Sequence, residues 1–143
     1  MSALFKKTAY KFPNLNGAWV YEQLTTQSAY NPYIGMKLRY IVLLSINGND
    51  VSGTAEKVWE LSDEGGEIEY VGKDRSTATI SGHVKIKILG KHELVINLNE
   101  NGHGRKYSTQ HLLVVEDSNS LSGRFTSTAA NQVGTCNWIR KST

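Results

Sequence analysis

Apolar and polar residues alternate with a period of two in run after run of this chain, and almost nowhere with the 3.6-residue period of a helix. Runs of that kind fold as strands with one buried and one wet face. The clearest is Thr77–Leu89, where Ile80, Gly82, Val84, Ile86 and Ile88 alternate with Ser81, His83, Lys85 and Lys87. Turn signals separate the runs at the short spacing of an all-β domain. Asn47-Gly48 sits between two apolar runs, where both residues accept positive φ and close a hairpin. Asn101-Gly102-His103-Gly104 and Asp117-Ser118-Asn119 mark further turns.

The predicted strands are Gly17–Leu24, Lys37–Ile46, Val51–Leu61, Thr77–Leu89, Glu93–Asn99, Arg105–Val115, Leu121–Thr128 and Thr135–Arg140, with Asn131–Gly134 as the last turn. A short extra strand is expected at Ile68–Val71. In the first strand Trp19, Tyr21 and Gln23 share one face, and in the fifth Leu94, Ile96 and Leu98 point inward. Eight strands joined mostly by hairpins imply an up-and-down antiparallel β-barrel, because closing the sheet removes its exposed edges. A two-sheet sandwich is the alternative. The barrel is preferred because Gly53, Gly82 and Gly123 recur at similar depth in three strands, as at barrel corners.

At 143 residues the chain is one domain, expected over residues 14–143 behind a basic lead-in of residues 1–13. Lys6, Lys7 and Lys11 interleave there with Leu4, Phe5, Tyr10 and Phe12, a mixture suited to a membrane surface. The lead-in has no apolar core of signal-peptide length, and no run approaches the roughly 20 apolar residues of a spanning helix. Cys136 is the single cysteine, which excludes an intrachain disulfide and a Cys-rich zinc site. Sixteen Lys and Arg against thirteen Asp and Glu leave a net charge of +3, a bias toward anionic partners too small to require a nucleic-acid polymer.

Catalytic signatures are missing. His83, His92, His103 and His111 lack the short spacing of a zinc site, and no Gly-x-Ser-x-Gly elbow occurs. No enzyme activity, metal or cofactor is therefore expected. The informative residues are the cations within predicted strands: Arg39, Lys57, Arg105 and Arg124. Pointing inward they would form an anion-binding lumen; pointing outward they would be solvated. Alternation puts Lys57 on one face with Trp59, and Arg124 opposite Phe125 with Thr126 and Thr128. Tyr21, Trp59 and Tyr107 would stack on a flat ligand, and Thr126 and Thr128, beside Ser127, Ser108 and Thr109, would bond its polar edges. Two long connections, Thr25–Gly35 and Ser62–Arg75, are expected to close over the barrel mouth. A carrier of apolar molecules, a barrel enzyme and a structural interaction barrel remain alternatives, distinguished by which residues point inward.

Gly17-Ala18-Trp19 at the start and Trp138-Ile139-Arg140 at the end resemble the ends of lipocalins and related calycin barrels. That resemblance implies a lipocalin-like barrel, with Trp19 plugging one end and Arg140 packed flat on its ring. Two further stretches, Tyr10–Trp19 and Leu121–Thr128 followed by Gly134 and Trp138, resemble the cytosolic barrel of the two-transmembrane β-barrel effectors of bacterial cyclic-oligonucleotide anti-phage systems (CBASS). This resemblance implies a ligand-sensing barrel for a cyclic oligonucleotide, working in the cytoplasm or at the cytoplasmic face of the inner membrane. It also implies self-association as the output. The chain departs from that family in having no transmembrane helices, so it is either a piece cut after the anchor or a stand-alone relative.

Overall fold

The structure is a computed structural model that describes residues 12–102 and 105–141. The eleven residues of the lead-in before Phe12, with their expected membrane-surface position, and His103 lie outside the described residues. Nine strands are present among the described residues: β1 (Gly17–Gln27), β2 (Lys37–Asn47), β3 (Asp50–Leu61), β4 (Glu67–Glu69), β5 (Thr77–Lys85), β6 (Glu93–Gly102), β7 (Arg105–Asp117), β8 (Ser120–Ser127) and β9 (Gln132–Arg140). Each neighbour pair is antiparallel. β1 bonds to both β2 and β9, and β2 also bonds to β3, so the sheet closes on itself. The short β4 lies outside this ring and extends the end of β3. The result is a closed eight-stranded up-and-down barrel, as the alternation and hairpin spacing predicted.

Closure depends on tight corners. A Cβ at Gly53, Gly82, Gly123 or Gly134 would lie 2.2, 2.0, 1.8 or 1.9 Å from the carbonyl oxygen of Leu43, Val95, Leu112 or Leu24 on the adjacent strand. Only glycine lets two backbones approach so closely, and such corners give a small barrel its curvature. Three of the four were expected as bends. Gly134 instead was placed in the last turn; that turn is Ala129–Asn131, and β9 begins at Gln132.

One end of the barrel is filled. Trp19 and Trp138 are fully buried, and Tyr21 stacks between Tyr40 and Trp138 at centroid distances of 4.7 and 4.8 Å. Leu15 covers this end, accepting the Trp19 indole N–H on its carbonyl at 2.9 Å. The Arg140 guanidinium lies 4.6 Å from the Trp19 ring centroid. It donates to the carbonyls of Asn14, Asn16 and Ser118 at 2.6–3.1 Å. Trp19 and Arg140 thus meet as the lipocalin resemblance implied. Phe12 packs at the same end, 5.3 Å from the His92 ring.

Two sequence expectations fail for local reasons. β5 stops at Lys85 rather than Leu89, because its partner β6 begins at Glu93, opposite Lys85. The apolar alternation continues past the barrel's end into a turn, leaving Ile88 and Leu89 exposed. In β3 the register against β2 shifts: Tyr40 faces Lys57, but Arg39 faces Trp59, and Val58 is the extra residue. A bulge of this kind reverses the alternation beyond it. Lys57 and Trp59, expected on one face, are therefore on opposite faces.

Candidate functional site

The interior changes character toward the other end. Beyond Tyr21 and Tyr40 the inward positions become mostly polar: Gln23 and Thr25 on β1, Lys57 on β3, Glu100 on β6, Tyr107 and Thr109 on β7, and Ser127 on β8, with Leu38 on β2 and Met36 just before it as the apolar members. They surround or underlie an open cavity of about 710 Å³, within the size range of small-molecule sites. Tyr30 and Tyr33, in edge-to-face contact at 4.8 Å, come to its rim from the first long connection. That connection is tied across the mouth: Ala29 N–H and the Ser28 hydroxyl both donate to the Ala130 carbonyl, at 2.8 and 2.9 Å. Residues 62–75, expected as a second cover, do not line the cavity; Tyr70 from that segment instead packs 5.2 Å from the Lys57 ammonium.

The predicted binding residues divide between three places. Lys57, Tyr107 and Thr128 line the cavity, as does Arg105 at the rim. Tyr21 points inward but is sealed in the packed layer beneath. Arg39, Trp59, Arg124 and Thr126 lie on the outer surface. Arg39 forms an ion pair with Glu22 at 3.0 Å and lies 4.4 Å from the Trp59 centroid, whose indole donates to Glu67 at 2.8 Å. Arg124 and Thr126 are exposed on β8, flanking the inward Phe125. The hydroxyl-rich zone divides by the same alternation. Thr109 and Ser127 are inside and bond to each other at 3.2 Å, while Ser108 faces out and donates to Asn99 at 2.9 Å.

Two important groups escaped the sequence reading. Glu100 is nearly inaccessible, and its carboxylate accepts from the hydroxyls of Tyr40 (2.5 Å), Ser76 (2.7 Å) and Tyr107 (3.0 Å). Three donors hold a buried carboxylate without a cation. Burial, and then the Glu100 charge, hold the Tyr107 phenol well above its ordinary pKa, so it remains a donor. His111 is fully buried, and desolvation pushes its pKa down to about 3. Both positions continue an inward alternation, Leu94-Ile96-Leu98-Glu100 and Thr109-His111-Leu113, and that parity is the signal that would have found them.

The remaining polar atoms sort by role. The Gln132 amide oxygen accepts from Thr25 at 2.7 Å, and its nitrogen donates to the Ala129 carbonyl at 3.0 Å. The Ser127 oxygen accepts from Thr109 and from Ala129 N–H, each at 3.2 Å. The acceptor oxygens of Gln132, Ser127 and Glu100 are thus engaged by the protein itself. Glu60 also lines the cavity; it accepts the Tyr70 phenol at 3.2 Å and lies 3.8 Å from Lys57. Lys57, Arg105 and Lys106 border the same space. Among the described residues no three His, Cys, Asp or Glu side chains gather as a metal site, and no helix is long and apolar enough to cross a membrane.

No protein-family model matches the chain, and no curated protein matches it significantly. Among solved structures it is similar to a de novo designed fluorescence-activating β-barrel, with a TM-score of 0.53 over 94% of this chain and 97% of that one. At 13% identity that likeness establishes the shared barrel fold, and the chain is a closed eight-stranded antiparallel β-barrel of that architecture.

Proposed function

We propose that this barrel is a receptor module that binds a small anionic ligand at its open end, without turning it over. The observation that carries this reading is the chemistry left facing the cavity. The acceptor oxygens of Gln132, Glu100 and Ser127 are bonded within the protein, while Lys57, which lies 3.8 Å from Glu60, and the cations Arg105 and Lys106 border the opening. A wall that offers cations and donors selects a ligand rich in acceptors. Tyr30, Tyr33 and Tyr107 add aromatic faces for a flat group. A carrier of apolar molecules would need a continuous apolar lumen, and here the apolar half is filled by Trp19, Trp138 and Phe125.

A cyclic oligonucleotide combines phosphates with flat bases and is the ligand we place first. The phosphates would sit with Lys57 and Arg105, and the bases with the mouth tyrosines. The effector resemblance of the sequence nominates the same ligand, although no family model or curated relative supports membership of that family. On this reading binding alters self-association. The test is calorimetric titration against cyclic di- and trinucleotides beside a fatty acid. The expected result is a dissociation constant below about 100 μM for at least one nucleotide and a weaker one in Lys57→Ala. Binding of the fatty acid alone would overturn the reading.

A further inference from the structure

A chain of three side chains runs from the filled end of the barrel to the floor of the cavity. The Trp138 indole N–H has no acceptor capacity, and it donates to Nδ1 of His111 at 3.0 Å. A ring nitrogen that accepts carries no proton. The buried imidazole is neutral, so its single proton is on Nε2. Nε2 faces Oε1 of Gln23 at 3.3 Å. The tautomer thereby fixes the amide: its oxygen is turned to the histidine and its nitrogen away from it.

That nitrogen is unusual. Gln23 is only 4% exposed and lines the cavity. Among the described residues its Nε2 donates to no group, yet no side-chain nitrogen or oxygen sealed from solvent lacks a partner. The amide nitrogen therefore opens onto the cavity, as a pair of N–H donors held in one orientation by a relay behind it. Such a group donates to an oxygen and rejects another N–H, because turning the amide over would break the contact with His111.

We infer that Gln23 is a specificity contact, and that the ligand's inserted end carries a keto-type oxygen bonded to Gln23 Nε2 while its anionic part stays with the cations at the rim. This rests on the ligand-binding reading above and sharpens it. Guanine or uracil presents such an oxygen, whereas adenine presents an amino group at the corresponding edge.

The test compares the unmodified protein with Gln23→Met, which has similar length and no donor. Each is titrated with cyclic di-GMP, cyclic di-UMP and cyclic di-AMP. The keto-bearing ligands are expected to bind about tenfold tighter than cyclic di-AMP, with the preference lost in Gln23→Met. A second measurement needs neither variant nor anion: uracil at millimolar concentration, followed through the Gln23 side-chain amide signals in ¹⁵N spectra. Those signals are expected to shift. A shift with uracil but no binding of any cyclic nucleotide would overturn the anionic reading and keep the Gln23 contact. Nucleotide binding without keto preference, equal in both proteins, would do the reverse. Silence in both experiments would overturn the two together.

Discussion

The two ends of this barrel are built from the same eight strands and differ in what the strands point inward. At the closed end the inward positions are Trp19, Trp138, Leu94, Ile96, Leu113 and Leu121, all essentially inaccessible. At the open end the continuations of the same strands are Gln23, Glu100, Tyr107 and Ser127. One end is solid and apolar; the other is hollow and hydrogen-bonded. Burial of apolar side chains supplies the main driving force for closing the sheet. That force is concentrated at the filled end, which leaves the open end free to carry polar groups.

The comparison breaks most directly at its ends. Trp19→Ala is expected to cost about 3–5 kcal/mol, since a large buried ring is lost from a packed layer. Tyr107→Ala at the mouth is expected to cost about 1.5–3 kcal/mol, the worth of one hydrogen bond to the buried Glu100 carboxylate. Chemical denaturation of both variants checks this, and equal losses would show that the two ends share the load.

His111 sits on the boundary between the halves and tests it through pH. Its folded pKa of about 3 lies below the unfolded value near 6.5, so the unfolded chain binds the proton more readily. Its contribution is complete above the unfolded pKa and is lost as pH falls toward 3. The slope is about 1.4 kcal/mol per pH unit, or about 3 kcal/mol between pH 6.5 and 4. In His111→Phe that part of the acid slope should vanish from a series of denaturation curves. An unchanged slope would mean that the imidazole is not sealed by the apolar half.

Arg140 sharpens the account of how the closed end is sealed. It lies on the Trp19 ring and bonds three loop carbonyls, from Asn14, Asn16 and Ser118. Arg140→Ala is expected to lower stability by about 2 kcal/mol. Arg140→Lys should recover only part of this, because an ammonium cannot form the same flat fork. Full recovery by lysine would reduce the contact to simple charge.

Much of this architecture is legible in the sequence. Alternation and turn residues carried the strand order and the closure, and glycine spacing marked three of the four corners. The meeting of Trp19 and Arg140 followed from the resemblance at the chain's ends. The site was less readable, and the reason is local. Alternation assigns a side chain to a face only until a bulge intervenes, and the extra residue Val58 put Lys57 and Trp59 on opposite faces. Arg39 and Arg124 show the other limit. A cation in a strand looks the same in sequence whether it faces a lumen or water. Glu100 was overlooked because the predicted strand ended at Asn99, one residue short of the position where the inward pattern turns polar.

Lys57 and Arg39 turn that lesson into the finest test. Both were candidates for the same phosphate, and they lie on neighbouring strands on opposite sides of the barrel wall. Lys57 is largely enclosed at the cavity edge, whereas Arg39 is partly exposed in an outer pair with Glu22. Exposed ion pairs contribute about 0–1 kcal/mol, so Arg39→Ala should shift stability by no more than that and leave ligand affinity unchanged. Lys57→Ala should also fold normally, because it frees Glu60 next to open water rather than sealing a charge inside. Its affinity for an anionic ligand should fall about tenfold, or about 1.4 kcal/mol. Titration of both variants with one cyclic nucleotide reads the difference. An equal loss in both would mean that the ligand lies along the outside of the wall, and the division between a solid end and a binding end would no longer describe the molecule.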